Sequence, residues 1–307
     1  MQPIAIERVA ESQPSTFGAI LDLSRARQAL LSVAQPALGA LLALGHLPAP
    51  RTMALGLVAA TAGFFAVFSL NDVLDMRSDI NALEVGKAEV EGYDIDTVFL
   101  RHPLARGDLS RRFSLAWVIG LGGVSAVCAY LLSPLCLAGL VAAVVLEAIY
   151  CALRSKTWMK TVVSGLMVAI GGLAGWVAVA PLSLAAVPFL AFLALWEIGG
   201  RNLPNDLSDV AADSAVGLTT VATVFGAQAS AVSIAGVGVA AVVALALIAQ
   251  PVPATLASVA LGIWAMVVPS VALVRTPTSA QAGRYFNRAS LLPALAFVAT
   301  LVFTVAR

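Results

Sequence analysis

Residues 52–79 read TMALGLVAATAGFFAVFSLNDVLDMRSD, nineteen largely apolar residues that end abruptly in an acidic cluster. The apolar run has the length a helix needs to cross a bilayer, roughly 20 residues. The cluster has the form N-D-x-x-D-x-x-x-D. The same form returns at 205–213 as NDLSDVAAD, 134 positions later, in a chain with only 17 acidic residues.

Composition supports the membrane reading around this stretch. With 60% hydrophobic and 11% charged residues in 307, and a mean hydropathy of +0.93, the chain has too little charged surface for a soluble globule. A net charge of +1 argues against a nucleic-acid binder, which needs a basic face for phosphates. Nine apolar segments are expected, at 28–47, 52–70, 113–132, 134–153, 161–180, 182–199, 219–249, 253–274 and 289–306. In lipid each must satisfy its own backbone, so they read as helices in one all-α integral membrane bundle. Residues 1–27 read as a cytoplasmic N-terminal tail with no cleavable signal, its first 24 or so residues a plain tail or a surface helix, 28–307 as the membrane domain, and about 80–111 as a cytoplasmic cap. Cys128, Cys136 and Cys151 fall in apolar stretches without metal-ligand spacing and read as small hydrophobes.

Orientation follows from the basic residues. Sixteen of the eighteen Lys and Arg fall on one side of the nine-segment topology, leaving Arg51 and Arg307 for the other. The crowded side is expected to face the cytoplasm of a cell inner or plasma membrane. Both acidic clusters stand at that mouth, closing the second and sixth segments. On a helix Asn71, Asp75 and Asp79 share one face, as do Asn205, Asp209 and Asp213, with Asp72 and Asp206 about a quarter-turn away.

Stacked like charges destabilise a helix unless a cation compensates them. Two facing rows of carboxylates and amides suit hard divalent cations. Mg²⁺ in particular binds through one or two carboxylates and completes its shell with water and substrate phosphate. A diphosphate is the natural third party, with Arg101, Arg106, Lys156, Lys160 and Arg201 in the same connections to pair with its oxygens. A transporter is the reading from another class. Its sites lie near the midplane at broken helices, whereas these helices show no midspan interruption in sequence.

The motifs NDVLDMRSD, RHPLARGDLS at 101–110, YCALRSKTWMK at 150–160 and NDLSDVAAD followed by GLTTVATVFG at 217–226 resemble, in order and position, the UbiA superfamily of intramembrane prenyltransferases. The resemblance covers most of the chain. It implies that the two motifs bind Mg²⁺ and an isoprenyl diphosphate, that the prenyl tail lies in a lipid-facing apolar tunnel, and that ionisation to an allylic cation precedes attack by a small aromatic or lipid acceptor. Carried over by position, Asn71, Asp75, Asp79, Asn205, Asp209 and Asp213 are the metal set. Arg101, Lys156, Lys160, Arg201, Asn202 and Tyr150 are the substrate set, and Asp75, Asp209 and Glu147 the catalytic set. Some members of the superfamily are terpene cyclases, which close the prenyl chain on itself without an acceptor, and this is the alternative.

Departures bear on substrate. The connection at 80–100 is longer than in many members, and an aspartate that aromatic-acceptor members place upstream of the second motif appears here as Asn202 or Asn205. His102 reads as a base or as plain surface. Glu147, inside the fourth segment, reads as a cavity acid or as a group reaching toward the mouth. Glu197 and Arg201, at i, i+4, form a functional pair or neutralise each other. Gln35 faces the cavity, and the glycines of GGLAG at 171–175 allow close helix contact. Phe64, Phe65, Phe68 and Trp196 offer ring faces to a cation or simply pack.

Overall fold

The computed structural model describes residues 15–84, 95 and 102–305, with the side chains of all of these except 78, 79 and 81–84. Among them no residue is in a strand, and nine helices are long and apolar enough to span a bilayer. We label them α1 (Ala26–Leu44), α2 (Pro50–Arg77), α3 (Arg111–Leu132), α4 (Pro134–Leu153), α5 (Lys160–Val177), α6 (Leu184–Ser208), α7 (Val221–Ala246), α8 (Val252–Arg275) and α9 (Ser279–Val305). The expected segments correspond to these one for one. The ninth begins ten residues earlier than its apolar run, because an amphipathic turn, Ser279–Ala289, precedes the lipid-facing part.

Local chemistry sets the helix ends. Ser110 accepts from the Phe113 N–H at 3.2 Å and Ser133 from Leu135 at 3.2 Å, with Pro134 at the first helical position of α4. Thr220 and Thr223 close a reciprocal cap at the start of α7. The interior is apolar and aromatic. Phe189, Phe192, Leu193 and Trp196 of α6 pack with Ile234 of α7, Met266 of α8 and Tyr285 of α9. Trp196 also donates its indole N–H to the Ala289 carbonyl at 2.8 Å, so it is a core residue and faces no cavity. The outer faces of α3 and α4 carry exposed Ile119, Val127, Leu135 and Val141, as a lipid-facing surface requires.

Close approach depends on the small residues of α5. A methyl group at Gly175 would overlap the Pro36 backbone of α1, and one at Gly172 would meet Leu193 and Phe189, whereas Gly171 has nothing within 4 Å. The expected contact role therefore belongs to Gly172 and Gly175 and not to Gly171.

Two features refine the sequence reading. Of the two forms expected for the N-terminal segment, the described residues show the helix, Thr16–Leu23, with its Ala19 and Leu23 buried against Leu109 and not left at the surface. Trp117 of α3 donates to Ser24 at 3.0 Å, fixing that helix against the bundle. The spans are also not all uninterrupted. Glu197–Asn202 in α6 and Ile263–Val267 in α8 adopt π-helical turns. Each stands just before a proline, Pro204 and Pro269, which offers no N–H and collides with the carbonyl four residues back, so the ladder widens to i→i+5.

Packing at Gly175 gives a direct check. Gly175→Leu should destabilise the detergent-solubilised protein by about 1–3 kcal/mol, the usual range for overpacking. Gly171→Ala should leave its thermal midpoint unchanged, and fluorescence-detected size exclusion after heating reads both.

Candidate active site

The ends of α2 and α6 carry the two acidic motifs into one cavity of about 250 Å³. Asn71, Asp72 and Asp75 enter from α2; Asn202, Asn205, Asp206, Asp209 and Asp213 enter from α6 and the turn after it. The second motif does not ride one continuous helix. The chain breaks at Asp209 (φ −98°, ψ 8°) between Leu203–Ser208 and Val210–Ala215, so carboxylates before and after the break reach the same space. Asp72 and Asp206, expected a quarter-turn away, are buried and line the cavity. The reason is that cations wall the cavity beside them.

Three ion pairs tie these carboxylates to other elements. Arg25, just before α1, bonds Asp72 at 3.2 Å and the Asn71 side-chain oxygen at 3.3 Å. Its backbone takes the left-handed conformation (φ 43°), uncommon away from glycine, which turns the chain between Thr16–Leu23 and α1. Arg154, at the end of α4, pairs with Asp75. Lys160, at the start of α5, bonds Asp206 at 3.0 Å and the Tyr150 hydroxyl at 3.3 Å, with its ammonium 5.1 Å from the Tyr150 ring. Asn202 joins the same network by donating to Tyr150 at 3.3 Å and accepting from Thr161 at 2.5 Å. Thr219 bonds the carbonyls of Arg154 and Ser155, which fixes the strap after the second motif to the end of α4.

Glu147 lies on the inner face of α4, only 3% exposed, and lines the cavity. It accepts from the Asn71 amide at 2.7 Å and from the Cys151 thiol at 3.5 Å. Of its two readings, the structure places it in the cavity. Cys151 thus donates to a carboxylate of the cavity, whereas the Cys136 thiol donates to the Ala174 backbone carbonyl at 3.3 Å. His102 likewise lines the cavity. Glu197 and Arg201 pair at 3.2 Å, both buried and facing inward.

The candidate set is therefore largely brought together, with exceptions. Lys156, expected to bind substrate, is exposed on the turn between α4 and α5 and lies outside the cavity lining, because Lys160 and Arg154 take the inward positions. Arg101 and the side chain of Asp79 lie outside the described residues, as does half of the expected cap (85–94 and 96–101). Arg106 pairs with Asp108 and does not reach the cavity. Of the four aromatic candidates, Phe64 and Phe68 line the cavity, stacked 6.3 Å apart, and Phe65 and Trp196 do not. Sequence reasoning missed Asp22, Arg25 and Arg154, which all line the cavity. Arg154 sits within the quoted YCALRSKTWMK, but Asp22 and Arg25 lie in the segment read as a tail, where no spacing marked them.

Four residues, Phe64, Val67, Ala143 and Gly171, are shared with a second, apolar groove of about 380 Å³. Pro36, Ala40 and Leu41 of α1, Gly56 and Leu57 of α2, and Leu132 and Cys136 of the α3–α4 corner line it. Exposed Leu47, Met53 and Leu57 stand along its open side.

The residues fit a hard cation held jointly with a ligand. The donors facing the cavity are carboxylate and amide oxygens. Among the described residues no three acidic, His or Cys side chains converge tightly enough to cage a metal alone. That arrangement suits Mg²⁺, which keeps waters and takes substrate oxygens, better than a cation needing an all-protein cage.

Comparisons with known proteins point to one family. The model of the UbiA prenyltransferase family matches residues 32–301. A digeranylgeranylglyceryl phosphate synthase from Thermococcus sibiricus is 29% identical over 195 residues, 63% of this chain and 63% of the relative, so the chain matches less than two thirds of that relative's length. Among solved structures, an apo UbiA homologue from Aeropyrum pernix superposes with a TM-score of 0.72 at 17% identity, covering 90% of this chain and 97% of that one. A UbiA homologue from Archaeoglobus fulgidus, bound to DMAPP and Mg²⁺, gives 0.65 at 18% identity, covering 92% and 99%. With the family model spanning nearly the whole membrane bundle, the chain belongs to the UbiA prenyltransferase family.

Proposed function

We propose that the chain is a Mg²⁺-dependent intramembrane prenyltransferase, which ionises an isoprenyl diphosphate and transfers the prenyl group to a small acceptor. One observation carries the reading: the cavity that collects both aspartate motifs runs, through Phe64, Val67, Ala143 and Gly171, into an apolar groove open to lipid. A diphosphate head and a hydrocarbon tail need those two environments side by side. The solved homologue with DMAPP and Mg²⁺ supports the assignment of both ligands.

In this reading Asn71 and Asp75 would hold one metal and Asp209 and Asp213 the other, with Asn205 supporting. The bound Mg²⁺ supplies charge neutralisation to the departing diphosphate. The protein's cations do the remaining work on the anion. Arg154 and Lys160 already stand against carboxylates of the two motifs, and their donors lie where diphosphate oxygens enter. Phe64, where the head cavity meets the groove, presents a ring face to positive charge on the first prenyl carbons, and Phe68 stacks behind it beneath Arg25. Glu147, tied to Asn71, orients that ligand from α4.

The runner-up, a terpene cyclase, needs an apolar contour that folds the tail and leaves the cation no polar neighbour. The wall formed by Ser164, Glu197 and Arg201 runs against that requirement and favours an acceptor. We place the cavity mouth at the cytoplasmic face, as the distribution of Lys and Arg directs.

Three outcomes check this reading. Asp75→Asn and Asp209→Asn should each lower diphosphate release from geranylgeranyl diphosphate and Mg²⁺ by at least about a hundredfold, several kcal/mol of transition-state charge stabilisation, while the proteins still extract as monodisperse species. Full turnover in either would sink the two-motif assignment. Ala143→Phe should fill the junction between head cavity and groove, so C20 diphosphate turns over poorly while C5 diphosphate is spared; equal losses for both would count against the groove as the tail site. In a background with all three cysteines replaced by alanine, Lys156→Cys should react with an impermeant maleimide only from the cytoplasmic side and Ser183→Cys only from the other.

A further inference from the structure

The cavity has a wall that the diphosphate chemistry leaves unused. Between α1, α5 and α6, the side chains of Ser32, Gln35, Ser164, Glu197 and Arg201 all face inward, and each is at most 8% exposed. In a bilayer-spanning bundle such a concentration of polar groups is costly and marks a functional surface. It is also built rigidly. Ser164 donates to one Glu197 oxygen at 2.8 Å while Arg201 donates to the other at 3.2 Å. Behind them Gln28, with its amide oxygen turned to the guanidinium, accepts from Arg201 at 2.7 Å. The Trp196 and Phe286 rings lie 5.7 Å from the Arg201 guanidinium carbon. The charge of Arg201 is thus matched by Glu197, and the wall is polar but neutral.

Gln35 breaks that self-sufficiency. It is 1% exposed and lines the cavity, and its side-chain oxygen has no hydrogen-bond partner among the described residues. A buried carbonyl oxygen left unpaired asks for a donor. Its place on α1 is telling. Gln28, Ser32 and Gln35 form one stripe, whereas Val33, Pro36, Ala37 and Ala40, which line the apolar groove, lie about 130° around the same helix at 100° per residue. A tail in the groove and a ligand on the polar wall therefore share one mouth without sharing space.

We infer that this wall is the acceptor subsite and that it takes an uncharged, hydroxyl-bearing acceptor whose O–H donates to the Gln35 side-chain oxygen. The inference rests on the prenyl-transfer reading above. A carboxylate or phosphate here would be buried beside a guanidinium already neutralised by Glu197, with no unmatched cation in the wall to offset its desolvation. A ligand lacking the hydroxyl would leave Gln35 as unpaired as before, the situation in which hydrogen-bonding sites reject analogues most strongly.

The test uses purified full-length protein, Mg²⁺ and geranylgeranyl diphosphate with three probes: hydroquinone, 4-hydroxybenzoate and 1,4-dimethoxybenzene. Hydroquinone should accelerate diphosphate release and appear prenylated by mass spectrometry. 4-Hydroxybenzoate should show a kcat/KM lower by about tenfold or more, and 1,4-dimethoxybenzene should be inert. Gln35→Leu should raise the KM for hydroquinone about tenfold and leave the KM for the diphosphate unchanged. Its thermal midpoint should not fall, because an unpaired buried oxygen has been removed. Ser164→Ala, which loosens Glu197, should move the hydroquinone KM in the same direction by less. A preference for 4-hydroxybenzoate, no response to hydroquinone, or equal changes in both KM values in Gln35→Leu would overturn the subsite. A cyclic product formed at multiple turnovers without any probe would instead overturn the transfer reading itself.

Discussion

Two rows of carboxylates gathered in one cavity of a low-dielectric bundle repel one another, and the fold holds them there by bringing a cation to each side from elsewhere in the chain. Arg25 meets Asp72, Arg154 meets Asp75 and Lys160 meets Asp206, each pair joining elements more than 40 residues apart. The Coulomb attraction of a pair at about 3 Å rises steeply as water leaves, and so does the cost of leaving one member alone. That constraint places the elements around the mouth. It holds the turn before α1 against α2, the end of α4 against α2, and the start of α5 against α6.

The same pairs explain how one cavity can serve both an empty and a liganded state. On the proposed reading, a diphosphate with its metals would bring cations for the carboxylates and an anion for Arg25, Arg154 and Lys160. The exchange would swap partners without stranding any charge. Tyr150 and Asn202 keep Lys160 in place through such a swap, since neither bond depends on Asp206.

The bundle was legible because bilayer length acts on long stretches of sequence, and nine apolar runs cannot be hidden by a few boundary errors. The motifs were legible because N-D-x-x-D-x-x-x-D recurs in register at two helix ends. What escaped depended on tertiary partners. Asp72 and Asp206 looked turned away on an isolated helix, yet Arg25 and Lys160 sit at that angle. Lys156 and Lys160 are both lysines of one turn, and only packing decides that the second is buried and the first exposed. Asp22 belongs to a short helix and Arg25 to the turn after it, and the burial of that helix rests on Leu109 and Trp117, contacts that no local pattern announces.

The π-turn at Glu197–Asn202 shows how one residue type shapes a site at a distance. Pro204 removes a ladder hydrogen bond, and the helix before it accommodates the loss by widening. A regular helix would already set Glu197 and Arg201 on one face, and the wider turn brings Asn202 round to face the cavity beside them. Glu197 and Arg201 then neutralise each other, so the wall gains hydrogen-bonding capacity without net charge. On the proposed reading such a surface would hold a polar acceptor in place and lend no counter-charge to compete with the motifs for the diphosphate. The chain would then separate its two tasks by charge: anions drawn to the mouth, where unlike charges alternate and can exchange partners, and uncharged polar groups drawn to the wall below it.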